Sequence, residues 1–140
     1  MNKDLIILTN NPIIKQEFEE DSCFEMVCEK ELPDLLTKCM KLLEEGCELM
    51  VDPLAGYLSR PNPYHTIVLK SASAAGTDEE EHREAYVRDM SKIDILLSRY
   101  WLNRDAYAAH GQCERYLHDH AHVDASLGRN SIRRIRDINS

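Results

Sequence analysis

The residues best placed to do chemistry fall in two short stretches. Thr9-Asn10-Asn11 follows one apolar run, and Asp52-Pro53-Leu54-Ala55-Gly56 follows another. Both offer hydroxyl, amide or carboxylate groups where predicted strands end, and such loops carry the ligand sites of α/β proteins. A helix starting at Pro12 adds free N–H groups and a positive dipole end. The expected ligand is a small polar molecule with a carboxylate or phosphate. Asp52 is the only acid in the two stretches, and it suits a proton acceptor or an amine partner. Asn62 and Tyr64 close the proline-rich loop 50–64 and complete the candidate set. The same groups also have purely structural uses. Asn11 before Pro12 caps a helix, Asp52-Pro53 starts a turn, and Pro61-Asn62-Pro63 stiffens a loop.

A second cluster is His118-Asp119-His120-Ala121-His122. On a helix, His118 and His122 share a face at i, i+4, a spacing that a divalent metal can bridge. A third ligand has to come from elsewhere, with His110, Cys113 and Asp124 the available guesses. Polar residues on a helix surface explain the cluster as well, so no metal and no cofactor is expected. There is no phosphate loop, no G-x-G-x-x-G and no G-x-S-x-G. The five cysteines form no C-x-x-C pair and are expected to be reduced and mainly buried, Cys39 on a helix core face and Cys47 partly exposed.

The elements that must position these groups follow from periodicity. Leu5-Ile6-Ile7-Leu8 is a strand buried on both faces. Pro12 opens a helix to about Glu20. Phe24 to Val27 is a second strand. Leu32, Leu35, Leu36, Cys39, Met40, Leu42 and Leu43 form one helical stripe, ended by Gly46 in the left-handed C′ position. Glu48 to Val51 is a third strand, and Tyr64 to Lys70 a fourth. Thr77-Asp78-Glu79-Glu80 reads as a capping box. The helix it opens runs to near Leu102, with Tyr86, Met90, Ile93, Leu97 and Tyr100 or Trp101 on one face. Residues 103–111 break the pattern. Leu127, Ile132, Ile135 and Ile138 give a last stripe.

The expected fold is a small α/β domain with a mostly parallel sheet of about four strands. Residues 1–102 form the α/β part, and 103–140 a helical extension packed on it or on a partner subunit. If strands 1 and 3 are neighbours, Asn10 and Asn11 face Asp52. Strand 4 is either antiparallel or a second crossover. The 140 residues suffice for one domain with a sizeable core. No run of 18 apolar residues occurs, and the first apolar segment is too short for a signal peptide, so a cytoplasmic protein is expected. The net charge of −8 argues against nucleic acid. Arg129, Arg133, Arg134 and Arg136 form a basic terminus. It suits a helix end, or docking on an acidic patch of a neighbouring subunit in a homo-oligomer.

The chain resembles the GrdX-like family, small proteins associated with bacterial glycine reductase gene clusters. The resemblance rests on Thr9-Asn10-Asn11-Pro12, Gly46, Pro53-Leu54-Ala55-Gly56 and Arg60-Pro61-Asn62-Pro63-Tyr64, in order and approximate spacing. It covers residues 4–70 best. The chain departs from the family pattern at Cys47, Asp52 and Ala55, where histidine, histidine and serine are the usual residues. The resemblance implies a bacterial accessory protein of anaerobic amino-acid reduction, without an established activity. Three functions therefore stand: an accessory protein binding a small ligand or a protein partner; a small enzyme using Asp52 with Asn10 and Asn11; and an oligomeric structural protein.

Overall fold

A computed structural model describes residues 3–54, 62–76 and 78–139. The elements are β1 (Leu5–Thr9), α1 (Pro12–Phe18), β2 (Phe24–Cys28), α2 (Leu32–Glu44), β3 (Glu48–Leu49), β4 (Thr66–Lys70), α3 (Glu79–Leu102), α4 (Arg104–His110) and α5 (Glu114–Asn139). The sheet order is β2-β1-β4-β3. β1 and β2 pair in parallel, while β4 is antiparallel to both β1 and β3. The domain is α/β with four strands, as expected, but the sheet is mixed rather than wholly parallel. β4 lies between β1 and β3, so those two strands run the same way without being neighbours.

Helices cover both faces of the sheet, and the alternation of side chains along each strand decides which helix meets which residue. Ile6 and Leu8 of β1 and Ile67 and Leu69 of β4 pack with Leu35, Leu36 and Leu43 of α2 and Ile93 and Leu96 of α3. Leu5, Ile7 and Val68 point to the other face, where they meet Ile14 and Phe18 of α1 and Ala125, Ile132 and Ile135 of α5. A strand sandwiched this way must be apolar at every position, which is why β1 carries no polar residue before Thr9.

Local signals explain most boundaries. Asn11 is the N-cap of α1, its Oδ1 accepting from the Ile13 N–H. Gly46 ends α2 with φ of +105°, the left-handed region that glycine enters without penalty. Asp78 caps α3, its Oδ1 accepting from Glu80 and Glu81 N–H. Thr77, expected to provide that cap, lies outside the described residues. The buried face of α3 is Ala85, Asp89, Ile93 and Leu96, with Met90, Leu97 and Tyr100 half-buried. Tyr86 and Trp101 are exposed instead. Asp89 accepts from the Leu49 N–H at 3.0 Å, so a helix carboxylate covers the free edge of the short strand β3. Cys47 is buried, not partly exposed; Cys39 is buried too, while Cys23, Cys28 and Cys113 are exposed.

The C-terminal part is almost wholly helical. Residues 104–110 are helix α4, and the stretch from Glu114 onward is one continuous helix. α5 lies close against the sheet because Gly128 has no side chain. A Cβ there would sit 3.2 Å from both Cβ and Cγ2 of Thr66 and 3.4 Å from Cδ1 of Ile14. Arg129, Arg133 and Arg136 of α5 are used within the chain. Arg129 Nε donates to both Glu17 oxygens at 2.7 and 2.8 Å, and Arg136 donates to Asp21 Oδ2 at 2.8 Å. Hydrogen bonding to Arg129 holds the Glu17 carboxyl below its ordinary value. Burial pushes Asp21 up, but the Cys23 N–H and Arg136 outweigh it and hold Asp21 low.

A Gly128→Val variant should lose roughly 1–3 kcal/mol by urea unfolding, because the new methyls force α5 off β4. Gly76→Ala serves as the control, since a Cβ there meets nothing within 4 Å.

Candidate functional site

The carboxyl ends of β1 and β2 open into a cleft of about 970 Å³. Its floor is Thr9, Asn10, Asn11 and Pro12, and one side is the β2–α2 turn from Cys28 to Leu32. Tyr100, Arg104 and Tyr107, from the end of α3 and from α4, form its roof. Pro63 and Tyr64 close the side next to β4. Lys15, Lys30 and Arg104 bring positive charge to the lining, and Glu29 and Glu31 bring negative charge. Tyr100 packs its ring against Tyr107 at 5.0 Å between centroids, which gives the roof an aromatic surface. A cleft of this size with apolar walls and a few polar groups is the usual form of a small-molecule site.

The floor is set by a hydrogen-bonded network that ties α5 to the sheet edge. Asp124 Oδ2 accepts from Asn11 Nδ2 at 2.9 Å and from Thr66 Oγ1 at 2.8 Å. Asn11 Nδ2 also donates to the Ala121 carbonyl at 2.8 Å. Thr9 Oγ1 lies 2.9 Å from Thr66 Oγ1 and accepts from the Asn11 N–H. Thr9 and Asn11 are almost wholly buried, and Asp124 is 9% exposed. Among the described residues no buried side-chain polar atom lacks a partner. Asn10 is bound on both ends of its amide: Nδ2 donates to the Pro63 carbonyl at 2.7 Å, and Oδ1 accepts from the His65 N–H at 2.9 Å. The Thr-Asn-Asn segment is therefore at the cleft, but its amides are mainly engaged in holding the cleft's shape.

The other expected residues divide. Tyr64 lines the cleft. Asn62 ties the loop's end to α5, its Oδ1 accepting from the Tyr64 N–H and its Nδ2 donating to the His120 carbonyl at 3.2 Å. Asp52 is exposed, beyond β4 on the far edge of the sheet, and does not line the cleft. Its Oδ1 accepts from the Leu54 N–H and lies 3.6 Å from Lys92 Nζ. Pro53 is buried and Leu54 packs on the core of the α2–α3 face. Ala55 and Gly56 lie outside the described residues. The fold thus brings Thr9, Asn10, Asn11 and Tyr64 together and leaves Asp52 apart.

Sequence reasoning missed the β2–α2 turn and the aromatic roof. The turn was findable, because β2 runs parallel to β1 and its end must open on the same edge. Tyr100, Arg104 and Tyr107 carry no local signal of a site. Cys28 lines the cleft, and burial pushes its thiol above the ordinary range, which disfavours a thiolate nucleophile. Beside the floor, burial holds the His65 imidazole below its ordinary range, although part of the residue's surface remains open. Asp124 and a backbone hydrogen bond with Asn62 pull it the other way.

Helices on both faces of a small mixed sheet make this a small α/β protein. A family model described as GrdX-like protein matches residues 6–133, and the chain belongs to that family. The match runs through α3, α4 and most of α5, well beyond the N-terminal motifs. No curated protein and no solved structure matches. No helix among the described residues is long and apolar enough to cross a membrane.

Two measurements test the network. Asp124→Ala should cost about 3 kcal/mol in chemical unfolding, because it strands the buried donors of Asn11 and Thr66. The pH dependence has a fixed sign. The unfolded chain protonates its histidine before folded His65 does, so stability falls as pH drops below about 6.5. A His65→Gln variant should lose that part of the slope. It should keep the separate loss at lower pH, where Glu17 and Asp21 protonate and release their arginines.

Proposed function

We propose that the protein is a non-catalytic accessory protein that binds a small carboxylate- or phosphate-bearing molecule in the cleft beneath Tyr100 and Tyr107. The observation that carries this reading is the cleft itself, with Lys15, Lys30 and Arg104 in its lining. The acids Glu29 and Glu31 balance part of that charge, which favours a small zwitterion or monoanion over a polyphosphate. The family's name supports a link with glycine reduction. Asp52 lies away from the cleft and burial raises the Cys28 thiol, which argues against either as the reacting group and favours binding over turnover.

The enzyme reading, with Asp52 acting beside Asn10 and Asn11, draws no support from a carboxylate held on the opposite side of β4. The oligomer reading puts Tyr100, Trp101 and the Ile132, Ile135 and Ile138 stripe between subunits; of these, Ile132 and Ile135 are buried within the chain and Tyr100 is half-buried on its core. Trp101 and Ile138 remain exposed and available to a partner.

The test is calorimetry with glycine, other amino acids, acyl phosphates and inorganic phosphate. One of these should bind the wild-type chain, and Arg104→Gln or Lys15→Gln should weaken it by about tenfold or more, the worth of one charge-assisted hydrogen bond. Asp52→Asn should bind as wild type. Binding that survives both cation substitutions, or product formation from any of these compounds, overturns the reading.

A further inference from the structure

Outside the cleft, α5 presents a pair of exposed imidazoles whose Nε2 atoms lie within hydrogen-bonding distance of each other, a separation that a bound metal ion also fits. Nε2 of His118 and Nε2 of His122 are 3.2 Å apart, with ring centroids at 4.4 Å and the rings inclined by 58°. Both residues are exposed, so neither geometry is imposed by core packing. Two metal–nitrogen bonds of about 2.0–2.1 Å place their nitrogens about 2.9 Å apart at a right angle and about 3.4 Å apart at the tetrahedral angle. The observed separation falls between those bites.

A second observation bears on the same nitrogens. His118 Nδ1 lies 3.6 Å from Asp119 Oδ1. A carboxylate on that side favours the proton on Nδ1 and leaves the Nε2 lone pair free, the arrangement that metal-binding histidines use. His120, the third histidine of the run, is oriented differently. Its Nδ1 contacts the Tyr116 carbonyl at 2.9 Å, and its ring stacks on Tyr116 at 3.8 Å.

We propose that His118 and His122 chelate one divalent late transition-metal ion through their Nε2 atoms. Asp119 acts as a positioning residue that fixes the His118 tautomer. Among the described residues no group of three or more His, Cys, Asp or Glu gathers at one point, so water fills the remaining coordination positions. Two imidazoles and water suit copper(II), nickel(II) or zinc, in the affinity order copper above nickel and zinc. The ion would join successive turns near the start of α5, immediately after Leu117, which lines the cleft.

The experiment is calorimetric titration of the full chain with nickel(II), repeated with copper(II) and followed by electron paramagnetic resonance. The expected result is one ion per chain at micromolar affinity and a copper spectrum with nitrogen couplings. His118→Ala and His122→Ala should each weaken binding at least tenfold, while His110→Ala and His120→Ala leave it unchanged. Asp119→Asn should weaken nickel binding by about tenfold, in the range of outer-shell partners, without moving the metal-free melting temperature. Absence of binding at micromolar metal, binding that survives both His118→Ala and His122→Ala, or one ion per two chains each overturns the proposal. Circular dichroism confirms that the variants keep their helices.

Discussion

The structure depends on one buried carboxylate. Asp124, on the sheet-facing side of α5, accepts from Asn11 at the end of β1 and from Thr66 at the start of β4. Removing a charged group from water is costly, and the cost is met only where several donors converge with good geometry. Two side-chain donors, one from the turn between β1 and α1 and one from β4, provide that convergence. The carboxylate therefore fits at one register of α5 against the sheet. Apolar packing of Ala125, Ile132 and Ile135 holds the helix down but discriminates weakly along its axis, whereas the Asp124 bonds do not tolerate a slip of one turn.

That constraint explains how much of the molecule was legible in its sequence. Elements whose stability is local read well. β1 is apolar at four successive positions, Asn11-Pro12 starts α1, and Gly46 ends α2 in the left-handed region. Elements decided by partners far along the chain read poorly. The face of α3 turns on Asp89, a buried acid that answers the free Leu49 N–H, and an apolar stripe cannot announce a buried acid. The strand order was also hidden. Nothing in Thr66-Ile67-Val68-Leu69-Lys70 says that it inserts between β1 and β3, and that insertion is what separates Asp52 from Asn10.

The site was half legible for the same reason. Thr9, Asn10 and Asn11 stood out as polar groups at a strand end, and they do form the cleft floor. Their types pointed equally to a ligand and to a clamp, and the hydrogen bonds of Asn11 to Asp124 and Ala121 belong to a clamp. The roof comes from Tyr100, Arg104 and Tyr107, about ninety residues further along, where helical periodicity breaks. The basic terminus shows the same lesson in charge. Arg129, Arg133 and Arg136 look ready for a second molecule until the fold places Glu17 and Asp21 of the same chain beside them.

The short helix α4 forms part of the cleft roof, yet none of its residues is buried. Open backbone with little apolar anchorage is what lets a segment unfold by itself while the sheet stays intact. Amide hydrogens of residues 104–110 should therefore exchange with solvent well ahead of those in β1 and β4. A molecule held beneath the roof would have to order this segment, giving up part of its interaction energy to do so, and its arrival would be visible as slowed exchange in α4 before any change in the core.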